Sequence, residues 1–312
     1  MTGMLDRESD AVVATPGPRL RLPDFAARRP KLNWRRRSPW LRALTYLTLI
    51  VVAVLYIYPF LIDLGTAFKT QPDAIAFGHS ASPIPHTWVT TAFSELSSVG
   101  IPHMFENSVI LAVAVTAGRL LFDSMAGYAL ARIRFRGRGA VFAAFISVLA
   151  VPGVVLLIPK FLVFQQLGIY NSYQGMIIPL LTDAVGVFIM KQFFESIPES
   201  IEEAARIDGA GLIRIYWSIM LPMARPALMT LAILSFQGSW NDLSDILVAE
   251  NNPNLDTLTT GIAKLVTGQF GAEATNFPLK MAAALLMTLP VAVIFFTFQR
   301  YIVRTGEGAV KE

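Results

Sequence analysis

Residues 41–64 read LRALTYLTLIVVAVLYIYPFLIDL, twenty-four positions of almost unbroken apolar and aromatic character with Arg42 and Asp63 at the two ends. About 20 such residues, rising 1.5 Å each, cross a hydrocarbon core of roughly 30 Å. The stretch therefore predicts a transmembrane helix. It is too long and too aromatic for the apolar region of a cleavable signal peptide, and no small-residue cleavage site follows it. Upstream, residues 1–40 are rich in Pro, Arg and Ala and end in Arg35-Arg36-Arg37, which reads as a flexible basic tail with a juxtamembrane anchor.

The rest of the chain agrees with that first reading. Of its 312 residues 54% are hydrophobic and only 15% charged, too greasy and too charge-poor for an ordinary soluble protein. The alternative, a soluble helical bundle with buried central helices, does not account for segments of this length. Five further spans are expected at residues 107–130, 140–161, 173–193, 227–248 and 278–303. The chain then has six spans over residues 41–303 and a short tail at 304–312.

Lys and Arg number 26 against 22 Asp and Glu, so their placement matters more than their excess. Up to Arg42 there are ten, with four more in residues 132–138, four in 191–225 and three from Arg300 onward. The other side holds Lys69, Lys160, Lys264 and Lys280, with Arg119 inside a span. Positive residues collect on the cytosolic side, which predicts both termini in the cytosol. With no Cys and only three His, thiolate chemistry is excluded and a histidine-rich metal centre has few ligands. No nucleophile–base pair stands out, so a membrane enzyme is disfavoured.

Several spans carry groups that do not belong in lipid. Arg119 and Asp123 are four residues apart on one helix face, a spacing that lets them pair, either as a structural lock or as part of a polar pathway wall. Asp183 falls near the middle of a span, where it could bind a partner helix, gate a cavity or contact solute. Asn241, Asp242 and Asp245 crowd the end of the fifth span. Pro152-Gly153, Pro159, Pro179 and Pro290 predict kinks or local breaks.

Residues 196–226 form a loop with its own design. Ser196 and Glu199 have capping-box spacing, Pro198 suits a first helical turn, and Ile197, Ile201 and Ala205 recur on one face. Gly209 can end this helix in a left-handed turn, and residues 212–220 predict a second helix before Pro222 and Pro226 turn the chain back. Glu199, Glu202, Glu203 and Asp208 would repel phosphate, so nucleic acid is excluded as a partner. By residue pattern alone the first helix is either a docking element for a protein cleft or a helix lying in the membrane interface.

The run Glu203-Ala204-Ala205-Arg206-Ile207-Asp208-Gly209-Ala210 closely resembles the EAA signature of bacterial ABC importer permeases. Other pieces resemble the MalG-like branch of the carbohydrate importers: Phe105-Glu106-Asn107-Ser108, the run from Ala126 to Arg132, Leu167-Gly168-Ile169-Tyr170-Asn171-Ser172, Trp240-Asn241-Asp242 and Gly308-Ala309-Val310-Lys311. The resemblance runs from about residue 41 to the C-terminus. It implies an all-α type I importer permease fold in a bacterial inner or cytoplasmic membrane. It also implies pairing with a MalF-like second permease, two cytoplasmic ATP-binding cassette ATPases and an extracytoplasmic sugar-binding protein.

In that family Glu203, Ala204, Ala205, Asp208 and Gly209 would belong to a helix that docks into an ATPase cleft. Arg119, Asp123, Asp183, Asn241 and Asp245 are the candidates for the pathway or for intramembrane polar contacts. The chain has no G-x-x-x-x-G-K-[ST] phosphate loop, so ATP and Mg²⁺ would belong to the partner ATPases, with no cofactor on this chain. The solute implied is a sugar, oligosaccharide or polyol derivative, with glycerol phosphate as a rival. A membrane assembly or signalling protein is the alternative of a different class. Residues 83–97 and 250–277 would lie on the outer face, the latter approaching the binding protein. Relatives carry an aromatic-Pro pair where this chain has Ser244-Asp245.

Overall fold

The computed structural model describes residues 39–76, 82–269, 271 and 276–308, with side chains as far as Phe298. The basic tail before Pro39, including Arg35-Arg36-Arg37, and the Ala309-Val310-Lys311 match lie outside the described residues. Among those described, every regular element is helical. Four helical segments are long and apolar enough to cross a membrane, and two bent pairs raise the number to six if each pair is one span.

Helix α1, Pro39–Ala67, covers the expected first span and continues through Pro59. The chain divides into two units after Leu55. The first holds the start of α1, where apolar side chains from Trp40 to Leu55 are exposed around the helix. A helix that is apolar on all sides needs apolar surroundings, from lipid or from another membrane chain.

In the second unit, α2, Ile101–Arg132, begins six residues before the expected span and carries buried positions along its whole length. The third expected span is not straight. It consists of α3, Arg138–Leu149, and α4, Leu157–Gln166, which meet at 99° around Pro152 and a 3₁₀ turn at Gly153–Leu156. Proline lacks the N–H that would continue the ladder, so the chain breaks where the Pro-Gly pair predicts.

The fourth span, Tyr173–Ser196, is one long segment with a local interruption. A short helix, Tyr173–Ile177, runs into a 3₁₀ turn at Ile178–Leu180, and α5, Ala184–Ser196, starts after residues 181–183. Then come α6, Glu199–Ile207, and α7, Leu212–Met223, which has a π-helical turn over Tyr216–Met220. Helix α8, Arg225–Trp240, leaves α7 at a 78° bend. The fifth span expected at 227–248 stops at Trp240, and α9, Ser244–Ala249, is a separate element. Helix α10, Leu258–Val266, lies in the loop before α11, Phe277–Gly308. Helix α11 continues through Pro290 without a break.

Helix α2 packs against α5 and α8, and α8 also packs on α11. At one end Met104, Trp240, Leu258 and Leu279 form a buried cluster, and Trp240 donates its indole N–H to the Met287 carbonyl at 3.0 Å. At the other end Tyr128, Phe194, Ala205, Tyr216 and Ala227 form a second one, which joins the membrane helices to α6. Within a membrane such clusters hold by close van der Waals packing rather than by removal from water.

Candidate functional site: the α6 platform and the polar seam

Helix α6 has two faces of opposite character. Ile201 is partly buried, while Glu202 and Ala205 are 4% and 7% exposed and meet the cluster around Tyr128 and Tyr216. Glu203, Ala204, Asp208 and Gly209 face solvent, and Ile207 is 86% exposed. Of the two small residues, only Ala204 is thus available to a partner, because the Ala205 methyl is used inside this chain. The expected capping box does not form: Ser196 turns its hydroxyl back to the Phe193 carbonyl at 2.6 Å, and the helix begins at Glu199 behind Pro198.

The C-terminal turn forms as expected. Gly209 has φ +82°, and the Ala210 N–H reaches back to the Ala205 carbonyl at 2.9 Å in a Schellman closure. A Cβ at Gly209 would meet nothing within 4 Å, so the backbone angle, not space, requires glycine.

Two residues outside the expected set hold α6 in place. Arg132, at the end of α2, has its side chain 5% exposed and lies 3.4 Å from the equally buried Glu202 carboxylate, with Glu199 at 3.9 Å. The Nε–carboxylate contact is electrostatic rather than a good hydrogen bond, since neither of those two atoms has a hydrogen-bond partner. The guanidinium donates instead to the Phe194 and Ile197 carbonyls at the end of α5. Arg206 lies 3.3 Å from Glu202 from the outer side. Arg132, Arg134, Glu199, Glu203 and Arg206 line a polar cavity of about 450 Å³ beside the helix. Arg132 closes the sequence run that resembles the family, and Glu202 falls one position off the exposed face, which were the available signals.

Inside the spans the expected Arg119–Asp123 pair does not form. Arg119 donates Nε–H to the Leu180 carbonyl at 2.8 Å, and Asp123 Oδ1 accepts the Asp183 N–H at 3.0 Å. The break at residues 181–183 explains this: it frees one carbonyl and one N–H, and these backbone groups recruit the two charges. Asp123 is fully buried, and its other carboxylate oxygen has no hydrogen-bond partner. A Cβ at Gly186 would fall 2.1 Å from that oxygen, so glycine lets α5 approach α2 here.

Asp245 is paired with a residue that sequence alone does not single out. Lys160 on α4 donates to its carboxylate at 2.6 Å, and Asp242 accepts the Asp245 N–H at 3.1 Å at the start of α9. Asn241 is exposed at the end of α8, with its amide on the Gln237 carbonyl at 2.9 Å, and Asp183 is half-buried. The structure therefore brings Arg119, Asp123 and Asp183 together at the α5 break, while Asn241 and Asp245 flank the α8–α9 break.

The segment after α9 is held by a separate polar latch. Asn107 on α2 donates to the Asn254 and Asp256 carbonyls at 3.0 and 2.9 Å, Tyr173 donates to Asn107 at 2.6 Å, and Ser108 accepts the Leu258 N–H at 2.8 Å. Within the latch Asp256 is paired with Lys264. Glu250 is 2% exposed and accepts the Asn252 N–H at 2.8 Å, but its second oxygen has no hydrogen-bond partner. Burial first, and then the Asp256 charge, push the Glu250 carboxyl up to about 7. No group of three or more His, Cys, Asp or Glu that could hold a metal occurs among the described residues.

Residues 123–305 match the family described as the binding-protein-dependent transport system inner membrane component, and the chain belongs to that family. The chain is 30% identical, over 86% of its length and 96% of the relative, to the arabinooligosaccharides transport system permease protein AraQ of Halalkalibacterium halodurans. It is 29% identical, over 83% of its length and 93% of the relative, to the sn-glycerol-3-phosphate transport system permease protein UgpE of Yersinia pestis. A chain from the crystal structure of a bacterial ABC transporter involved in the import of the acidic polysaccharide alginate has the same fold. It matches with TM-score 0.75 at 23% identity, over 85% of this chain and 98% of that one.

Proposed function

We propose that this chain is one permease subunit of an ATP-driven importer, forming half of the pathway for a sugar or oligosaccharide. A second permease supplies the other half, two cytoplasmic ATPases bind ATP and Mg²⁺, and an extracytoplasmic binding protein delivers the solute. The names of the relatives support the solute class. A second solved relative of the same fold, 19% identical with TM-score 0.55, is described in complex with an alginate pentasaccharide-bound periplasmic protein, which supports the delivery partner. Both termini and α6 then lie in the cytosol, as the placement of Lys and Arg predicts.

The observation that carries this reading is Ile207, 86% exposed on a helix whose opposite face is fixed by Arg132. A large apolar residue on a rigid platform, beside Glu203, Ala204 and Asp208, suits a cleft on a partner protein. Closure of the ATPases on ATP would push α6, and the Arg132–Glu202 contact would carry that push into α2 and α5. The spans would then rock between inward-facing and outward-facing states, with the ATPases supplying the differential affinity that shifts the populations. Asp183 and Asn241 are proposed to contact solute or the pathway wall.

Co-purification of the ATPase with Ile207→Asp tests the proposal. The expected result is loss of the ATPase and at least tenfold lower sugar uptake, with normal membrane insertion. Undiminished association and uptake would overturn the reading. The same uptake assay with sn-glycerol 3-phosphate separates the two solute classes suggested by the relatives.

A further inference from the structure

A groove of about 530 Å³ opens between α2 and α8, lined by Ala117, Leu121, Trp217, Leu228 and Met229, with Arg225 at one end. Arg225 is the single charged residue in its lining and forms no ion pair among the described residues. The groove runs along α8 from Arg225 to Ala232, about 10 Å at 1.5 Å per residue, which fits within one leaflet of a hydrocarbon core of roughly 30 Å.

Helical phase separates this groove from the polar seam. At about 100° per residue, Arg225 and Ala232 lie roughly opposite Asn241 on α8 and well over a quarter-turn from Gln237. On α2, Ala117 and Leu121 lie roughly opposite Arg119 and Asp123. The groove is therefore on the apolar side of both helices. Trp217 is 49% exposed at the same end as Arg225, a placement typical of the boundary between hydrocarbon and headgroups.

The geometry points to a bound anionic phospholipid, with its acyl chain in the groove and its phosphate on the Arg225 guanidinium, in the leaflet on the α6 side. A basic residue closing an apolar inter-helix groove recognises headgroup charge and chain together. The groove wall reaches the α6 platform. Ser124 and Tyr216 both line it and are joined by a 2.7 Å hydrogen bond, and Tyr216 packs in the cluster that contains Ala205. Lipid occupancy would thus brace the segment that carries α6. This inference does not depend on the importer reading.

The test uses the full-length chain in nanodiscs of phosphatidylcholine doped with phosphatidylglycerol, with retained lipid counted by native mass spectrometry. The wild type is expected to retain phosphatidylglycerol about fivefold over phosphatidylcholine, the ratio that one basic contact near the surface supplies. Arg225→Gln should abolish that preference while keeping lipid, and Ala117→Trp, which fills the groove, should lose both lipids. Arg214→Gln, an exposed basic residue of α7 that does not line the groove, should change nothing. Equal retention of the two lipids by the wild type, or a preference that survives in Arg225→Gln, would overturn the proposal. Loss of the lipid on assembly with a second permease would assign the groove to a chain–chain interface and overturn it as well.

Discussion

Helix α2 grips α5 at both ends, and with opposite charges. Near the start of α5 it presents Asp123 to the Asp183 N–H, and at the end it presents Arg132 to the Phe194 and Ile197 carbonyls. An anion at a helix N-terminus and a cation at its C-terminus both suit the helix dipole. The two ends differ in how completely the charge is answered. Both ends keep an atom without a hydrogen bond, but Arg132 has the Glu202 and Glu199 carboxylates within ion-pair distance, whereas Asp123 has no ion pair among the described residues. The C-terminal end is a lock between three helices, and the N-terminal end is a break held by the Asp123 and Arg119 hydrogen bonds and close packing. Motion that starts at α6 would therefore be passed on rigidly at one end of α5 and absorbed at the other.

The contrast predicts unequal sensitivity. Arg132→Ala removes the carbonyl contacts and leaves Glu202 buried with only Arg206 nearby. Breaking a buried pair from one side costs about 3–5 kcal/mol. Detergent-solubilised Arg132→Ala should lose far more thermal stability than Glu203→Ala, whose side chain is exposed. Equal melting temperatures for those two variants would mean that the lock contributes nothing.

Gly186→Ala probes the other end. Its Cβ would clash with Asp123 Oδ2 and approach Leu231 Cδ1 at 2.9 Å, so the α5–α2 spacing must open. Overpacking of this kind costs about 1–3 kcal/mol. The variant should destabilise less than Arg132→Ala, and Asp123→Ser, by making room, should recover part of the loss. Absence of any coupling in that double-mutant cycle would contradict the close approach.

These two ends were unequally legible in sequence. The amphipathic phase of α6 and the Gly209 turn follow from local spacing, so the platform could be placed before its contacts were known. The capping box at Ser196 failed because Pro198 starts the helix in its own way and the serine finds a nearer carbonyl. Arg119 and Asp123 show the limit of spacing arguments inside a span. An i, i+4 pair is favourable, but free backbone groups at a break compete for the same charges, and a break three helices' length away in sequence leaves no mark on α2. The fifth span ended early for a similar reason: Asn241, Asp242 and Asp245 are tolerable at the end of one helix or in a gap between two, and only Lys160, some 80 residues upstream, decides the pairing. Helix α11 runs through Pro290 although the same residue type helps to break the third span, because there a glycine follows directly.

The most local effect is expected where an unanswered carboxylate sits outside the spans. Glu250 resembles Asp123 in having one oxygen bonded to backbone and one without a partner, but it lies in the latch after α9. Its folded pKa is raised from 4.5 to about 7. Below pH 4.5 both folded and opened states hold the proton, so the group contributes no difference. Between about 4.5 and 7 the opened latch releases the proton while the closed one retains it, so closure weakens as pH rises through that window, and the effect levels off above it. Hydrogen exchange at the Asn252 and Leu258 amides should accordingly become faster from pH 5 to 7.5, after correction for the intrinsic rate. Glu250→Gln, which cannot ionise, should flatten that dependence without moving the global melting temperature. A wild-type profile already flat across the window would mean that water or a counter-charge reaches the second oxygen. Glu250 would then be answered by its surroundings, as Arg132 is by Glu202 and Glu199, while Asp123 keeps an oxygen without a hydrogen bond.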